Sequence, residues 1–83
     1  MSRVKIYTIL DCPYCESVKQ FLKKYEVEFK NSDISNSSKE AEEMVRKSGQ
    51  LSPPVVVIRK NGKDEVVVGF DEKKLAEILD IIE

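Results

Sequence analysis

The sequence predicts an α/β fold with elements in the order β-α-β-α-β-β-α, a four-stranded mixed sheet flanked by helices. Three observations carry this. Residues 4–31 run from a β-rich segment through a helical apolar stripe to an alternating segment. That is the pattern of a βαβ unit, with two parallel strands joined by a right-handed crossover. Asn61-Gly62 then separates two runs rich in β-branched residues, a strong hairpin signal that adds antiparallel strands. A last apolar stripe near residue 78 supplies a closing helix.

Each element has its own local reason. Val4 to Thr8 (VKIYT) is β-rich and reads as the first strand. Val18, Phe21, Leu22 and Tyr25 repeat at i, i+3, i+4 and i+7, one face of a helix from about Pro13 to Tyr25. Pro13 suits the first helical position, where its missing N–H would be unpaired anyway. Val27 to Asn31 alternates and reads as the second strand, and Ser35 to Ser38 as a polar loop. Ser37 with Glu40 forms a capping box for a helix that presents Ala41, Met44 and Val45 and stops at Gly49. Val55 to Ile58 is a continuous β-branched run, expected of a strand buried on both faces. Glu65 to Val68 pairs back after the turn. Asp71 caps the last helix, whose stripe is Leu75, Ile78, Leu79 and Ile82. No linker, repeat or low-complexity tract interrupts the chain, which reads as one domain over residues 1–83.

Composition narrows the function classes. Hydrophobic residues make up 41% and charged residues 35% of the 83 residues, a mixture that suits a globular domain rather than a disordered one. Fourteen basic and fifteen acidic side chains leave a formal charge of −1, so no general attraction to nucleic acid or an anionic membrane is expected. No apolar run approaches the roughly 20 residues that span a bilayer. The segment Met1 to Tyr7 carries Arg3 and Lys5 and lacks the apolar stretch of a signal peptide. A cytoplasmic setting, where thiols are kept reduced, is therefore expected. Two cysteines and no histidine cannot by themselves complete a four-ligand zinc site.

The chemistry rests on Cys12-Pro13-Tyr14-Cys15, which follows a strand and opens a helix inside the βαβ unit. Two thiols at this spacing can close into a disulfide without moving the scaffold. The helix start presents unpaired N–H groups and a partial positive charge of roughly half a unit, which stabilises a thiolate. Free cysteines titrate near about 8.5 and those in such settings at about 3.5–7.5. Cys12, at the helix mouth, is the expected nucleophile, and Cys15, inside the first turn, the resolving thiol. Cys12 attacks a substrate disulfide, and Cys15 then attacks Cys12 to release the reduced product. Half of a metal site and a structural disulfide are the competing readings of the pair. Ser52-Pro53-Pro54 precedes the buried strand; from the residues alone, a cis bond there and a plain trans connection both remain open. Gly69-Phe70-Asp71 supplies a bend and a helix cap.

The chain resembles the glutaredoxins of the thioredoxin-fold superfamily. The residues that carry the likeness are Tyr7-Thr8, Cys12-Pro13-Tyr14-Cys15, Gly49-Gln50-Leu51-Ser52-Pro53-Pro54 and Gly69-Phe70-Asp71. The resemblance implies a thioredoxin/glutaredoxin-like fold and a dithiol thiol–disulfide oxidoreductase. It implies catalytic Cys12 and Cys15, and a substrate site formed by Pro13, Tyr14, Ser52, Pro53, Pro54, Gly69, Phe70 and Asp71. It also implies a cis Pro53–Pro54 bond, with Ser52 and Pro54 standing where the family has the outer residues of Thr-Val-Pro; in the alternative register Pro53 is the cis proline. The expected partners are disulfide-containing client proteins, with glutathione or a thioredoxin-reductase-type enzyme as reductant, no bound cofactor, no nucleic acid, no membrane and a monomeric chain.

The departures from the family pattern are specific. Ile9 and Leu51 stand where glutathione-using members carry basic or polar residues, and Phe70 replaces a second glycine. Pro53 removes the backbone N–H that pairs with a substrate cysteine in the family. Asp11 puts a negative charge beside the expected thiolate. Gly-Phe near the last helix resembles the redoxins that serve ribonucleotide reductase and are recycled by thioredoxin reductase, although those commonly lack CPYC. The whole pattern resembles small glutaredoxin-like proteins of bacteria and archaea, with weak glutathione use. The reading from a different class is a metal or iron–sulfur carrier built by Cys12 thiolates across a dimer. A redox-inert binding module is disfavoured by the intact Cys-X-X-Cys.

Overall fold

A computed structural model describes residues 3–81. Strands β1 (Arg3–Thr8), β2 (Lys30–Asp33), β3 (Val55–Lys60) and β4 (Lys63–Val68) form one sheet in the order β2-β1-β3-β4. β1 and β2 run parallel; β1 with β3, and β3 with β4, run antiparallel. Helices α1 (Pro13–Lys24), α2 (Ser38–Ser48) and α3 (Glu72–Leu79) complete the predicted order. This is the thioredoxin-type arrangement expected from the sequence.

Strand alternation sorts the core into two faces. Val4 and Ile6 of β1, Val56 and Ile58 of β3 and Val67 of β4 pack against Val18, Phe21 and Leu22 of α1 and Leu75 of α3. Tyr7, Val55 and Val57 point the other way, onto Met44 of α2. Consecutive residues of β3 therefore face opposite helix layers, which is why Val55 to Ile58 is apolar without a break. Two helices cover one face, and α2, with Ile34 from the short turn before it, covers the other. On that second face a polar network sits over β1. Lys5 Nζ donates to Glu40 Oε2 at 2.9 Å and Glu43 Oε1 at 3.1 Å, and the buried Tyr7 hydroxyl donates to Glu43. Hydrogen bonds from Tyr7 and Lys5 hold the Glu43 carboxyl well below its usual range, at about 2. Burial, reinforced by the Glu43 bond, pushes the Tyr7 phenol up to about 12.

The caps form where the sequence indicates, except that only half of the Ser37/Glu40 capping box is made: Ser37 N–H donates to Ile34 O and the Glu40 carboxylate turns to Lys5. The Ser37 side chain accepts from Glu40 N–H at 3.2 Å, Gly49 ends α2 with φ 72°, and Asp71 Oδ1 accepts from Lys74 N–H at 3.1 Å. Ile82, the last residue of the predicted α3 stripe, lies outside the described residues.

The second strand is displaced from its predicted span. Val27–Asn31 was the alternating segment, but the ladder begins at Lys30, opposite Lys5, and ends at Asp33, opposite Thr8. The reason is the way α1 stops. Glu26 takes φ 56°, its N–H donates to Lys23 O, and Val27 N–H donates to Leu22 O at 2.8 Å. These bonds use the backbone of residues 26 and 27 to close the helix. Val27 and Phe29 still pack on the core, so their alternation reports burial without pairing. The polar Lys30–Asp33 segment holds the sheet edge through its backbone, where a polar strand is tolerated. The predicted polar loop after it contains a 3-10 turn, Ile34–Asn36, capped by the Asp33 side chain on Ser35 N–H at 2.8 Å. β3 and β4 each extend two residues further toward the Asn61-Gly62 turn than their predicted spans, because ladder pairing continues through Arg59↔Asp64 and Lys60↔Lys63.

Candidate active site

One end of the sheet gathers the candidate site. Tyr7, Val55 and Val68 lie in a single row across β1, β3 and β4. The chain after Thr8, the chain before Val55 and the chain after Val68 therefore all emerge at the same end. Those three segments hold Cys12 to Cys15, Ser52 to Pro54 and Gly69 to Asp71. They are also joined directly: Gly69 N–H donates to Pro54 O at 2.9 Å. The Pro53–Pro54 bond is cis and Pro54 is buried. The loop after β1 is fastened to the turn after β2, where Leu10 N–H donates to Ser35 Oγ at 3.3 Å.

Cys12 occupies the N-cap of α1 with extended backbone (φ −110°, ψ 102°), and Pro13 is the first helical residue. The Cys12 Sγ accepts from Cys15 N–H at 3.2 Å. This is the sulfur analogue of the side-chain caps that Ser or Asp make elsewhere. The two cysteines are joined as a disulfide with Cα atoms 5.2 Å apart. Cys12 is half-buried at the rim, whereas Cys15 is 1% exposed and belongs to the core side of α1. The asymmetry places one sulfur where a substrate can reach it and shelters the other behind it. An anionic Cys12 sulfur gains both the aligned N–H of Cys15 and the positive end of the helix.

Some predicted residues meet at the cysteines and others do not. A cleft of about 420 Å³ beside the disulfide is lined by Asp11, Cys12, Pro13 and Glu16. Tyr14 projects from this end, 67% exposed. Ser52, Pro53, Gly69 and Phe70 share the same end of the sheet without lining that cleft. Phe70, expected at the substrate groove, stays partly exposed and sets its ring edge-on to Phe21 of α1, centroids 6.2 Å apart. Asp71 serves the α3 cap. Sequence reasoning missed Glu16; its position one turn after Cys12 on the helix was the available signal. Glu16 is engaged by Lys19 at 2.7 Å, and that bond lowers its titration.

Asp11 also gains a second explanation. It adopts φ 55°, the left-handed region that Asp and Asn tolerate better than most residues. The turn into the helix thus favours this residue type on backbone grounds, whatever its charge does. A larger groove of about 520 Å³ opens at the opposite end of the sheet among Lys5, Lys30, Lys47 and Arg59, but it holds no thiol. Among the described residues, no group of three or more His, Cys, Asp or Glu is placed to hold a metal ion. No helix among them is long and apolar enough to cross a membrane.

A thioredoxin-type fold with a Cys-X-X-Cys disulfide at the start of its first helix defines a redox-active cysteine pair. The glutaredoxin family model matches residues 4–63, and the chain belongs to that family. A glutaredoxin-like 8.6 kDa protein from the rubredoxin operon of Clostridium pasteurianum is 31% identical over 77 residues, 93% of this chain and 97% of that protein. The solved structure of glutaredoxin Grx-1 from Archaeoglobus fulgidus matches with a TM-score of 0.77 at 34% identity, covering 95% of this chain and 87% of the other. The NrdH-redoxin of Escherichia coli, described as glutaredoxin-like with a thioredoxin-like activity profile, matches with a TM-score of 0.73 at 26% identity, covering 92% and 93%.

Proposed function

We propose that this protein is a cytoplasmic, monomeric dithiol oxidoreductase that reduces disulfides of client proteins, with Cys12 as nucleophile and Cys15 as resolving thiol. The observation that carries the reading is the asymmetry of the pair: Cys12 at the rim, capped by the Cys15 N–H, and Cys15 sealed below it. In the reduced form, the Cys12 thiolate attacks one sulfur of a client disulfide and the other client sulfur leaves as a thiolate. Cys15 then loses its proton to solvent and attacks Cys12 Sγ. The second client thiolate departs and the Cys12–Cys15 disulfide closes. The client gains two electrons and this chain loses two.

Reduction of the closed disulfide restarts the cycle, either by two glutathiones or by a thioredoxin-reductase-type enzyme. The second is favoured here. Ile9 and Leu51 offer no cation to a glutathione carboxylate, and Pro53 has no N–H to offer a substrate backbone. The thioredoxin-like profile described for the similar Escherichia coli redoxin supports the same choice. Cys15→Ser tests the order of attack. The variant is expected to accumulate a mixed disulfide with substrate on Cys12, seen as a mass increase of one substrate, while Cys12→Ser forms none. A Cys12→Ser protein that still reduces disulfides refutes the assignment.

A further inference from the structure

We propose that the groove at the end of the sheet away from the disulfide binds a small anion that carries two or more phosphate groups. The inference goes beyond the redox reading, because this groove holds no thiol and shares no residue with the cleft beside Cys12.

Strand register builds the site. Residues opposite one another in a ladder face the same side of the sheet, and like charges placed so are destabilising. Arg3 lies opposite Arg59, and Lys5 lies opposite Lys30, two such pairs in succession on the face that carries α2. One more like-charged pair, Lys60 with Lys63, flanks the hairpin turn, but there Lys60 meets Asp80 at 2.8 Å. The groove pairs are answered only in part. Glu40 and Glu43 take up Lys5 at 2.9 and 3.1 Å. Asp64 stands 3.6 Å from Arg59, and Lys47 stands 3.7 Å from Glu43 and 3.9 Å from Asp64, all longer than a hydrogen bond. Arg3 and Lys30 take part in no ion pair among the described residues. Arg3, Lys30, Lys47 and Arg59 are exposed, and with the buried Val57 they line one concavity of about 520 Å³. Sequences break a local rule of this kind where a site needs it.

Size and charge identify the occupant. The volume falls within the roughly 300–1,000 Å³ of small-molecule sites. Neighbouring strands lie about 4.8 Å apart and alternate residues of one strand about 6.8 Å apart, so the opposed cations stand at the corners of a small patch. A single carboxylate meets one corner. Linked phosphates bring several acceptor oxygens and more than one negative charge to several corners at once. The guanidinium groups of Arg3 and Arg59 also match phosphate oxygens bidentately. Glu28 and Asp64 are the carboxylates of the lining, against five cations. A nucleic acid would need a basic track running on past the groove, and a chain of formal charge −1 supplies no general one. An acidic peptide spreads single charges over about 3.4 Å per residue and reaches fewer corners. Inorganic polyphosphate and a nucleoside triphosphate share the required chemistry.

The test is calorimetric titration with tripolyphosphate and, separately, with adenosine triphosphate, in metal-free buffer without phosphate. Both are expected to bind one per chain. Tighter binding of the nucleotide assigns the source as a nucleotide, and equal binding assigns it as inorganic polyphosphate. Amide shifts on titration should gather at residues 3–5, 28–30 and 57–64. Arg3→Gln combined with Lys30→Gln should weaken tripolyphosphate about tenfold, as for two exposed charge contacts. Lys73→Gln with Lys74→Gln removes the same charge from exposed positions of α3 outside the groove, and should change binding less than about twofold. Glu28→Gln should tighten binding about threefold. A merely structural role for the cations predicts the opposite of one further result. Without polyphosphate, the Arg3→Gln, Lys30→Gln variant should melt no lower than the natural chain, because it relieves the opposed pairs. With about 1 mM tripolyphosphate the natural chain should melt about 5 °C higher and this variant should not. No binding of either phosphate compound at millimolar concentration overturns the proposal. So do equal losses in the groove and α3 variants, tighter binding of a short Asp–Glu peptide, or shifts centred on residues 9–16.

Discussion

Replacing Ile9 by Lys, Pro53 by Val and Phe70 by Gly together should convert a poor glutathione user into a better one. Ile9 is 40% exposed beside the redox loop, so a lysine there can reach a ligand carboxylate without entering the core. An exposed charge contact is worth about 0.2–1 kcal/mol. Pro53 is half-buried immediately before Pro54, and valine returns a backbone donor worth on the order of 1 kcal/mol. The two effects with the space released by Phe70 total roughly 1.5–3 kcal/mol, or about tenfold to a hundredfold in affinity. Phe70 carries an opposing cost. Its ring packs edge-on against Phe21, and losing such a contact removes about 0.5–1.5 kcal/mol of stability. The Ile9→Lys, Pro53→Val double variant, which keeps that contact, therefore belongs in the same series. The assay is glutathione-coupled turnover of a small disulfide at fixed glutathione concentration. The expected order is slow for the natural chain, faster for the double variant and fastest for the folded triple variant. Fast turnover by the natural chain, unimproved in both variants, refutes the reasoning and restores ordinary glutathione use.

Two further expectations follow from particular contacts. Asp11→Asn preserves a residue type suited to φ 55° and removes only the charge, so a larger thiolate fraction of Cys12 at a given pH is expected, read by thiolate absorbance; an unchanged titration would mean solvent screens Asp11. Glu43→Gln should flatten the acid limb of stability. The folded Glu43 value, about 2, lies below its ordinary 4.5, so its stabilisation is complete above pH 5 and is lost as pH falls toward 2. Solvent reaches 22% of the side chain, which limits the effect to on the order of 1–2 kcal/mol. Chemical denaturation at pH 7 and pH 3 should therefore show a smaller difference for Glu43→Gln than for the natural chain, and equal differences would contradict the network's role.

What the sequence made legible was whatever repeats with the period of an element. The stripe of α1, the unbroken apolar run of β3 and the Asn61-Gly62 turn each map onto the structure directly. The Cys-X-X-Cys pair was equally plain, because its chemistry depends on spacing and on the strand and helix around it. β2 was misplaced because alternation in Val27 and Phe29 reports burial, while pairing depends on backbone left free after α1 closes at Glu26. Long-range contacts left no local trace. The Lys5–Tyr7–Glu43 network joins residues 36 and 38 positions apart, and the edge contact of Phe70 with Phe21 crosses from one loop to another element. Asp11 was legible as a charge but not as a left-handed residue, since the conformation is set by the turn it occupies. The common end shared by Cys12, Pro54 and Gly69 came from strand register, which a single sequence does not reveal.

The central claim is that the pair is unequal, with a half-buried, activated Cys12 at the rim and a fully sheltered Cys15. Alkylation of the reduced protein with limiting iodoacetamide at neutral pH, followed by mass mapping, measures this directly. The account predicts early label on Cys12 and little on Cys15, following thiolate character and access. Preferential labelling of Cys15 would contradict it.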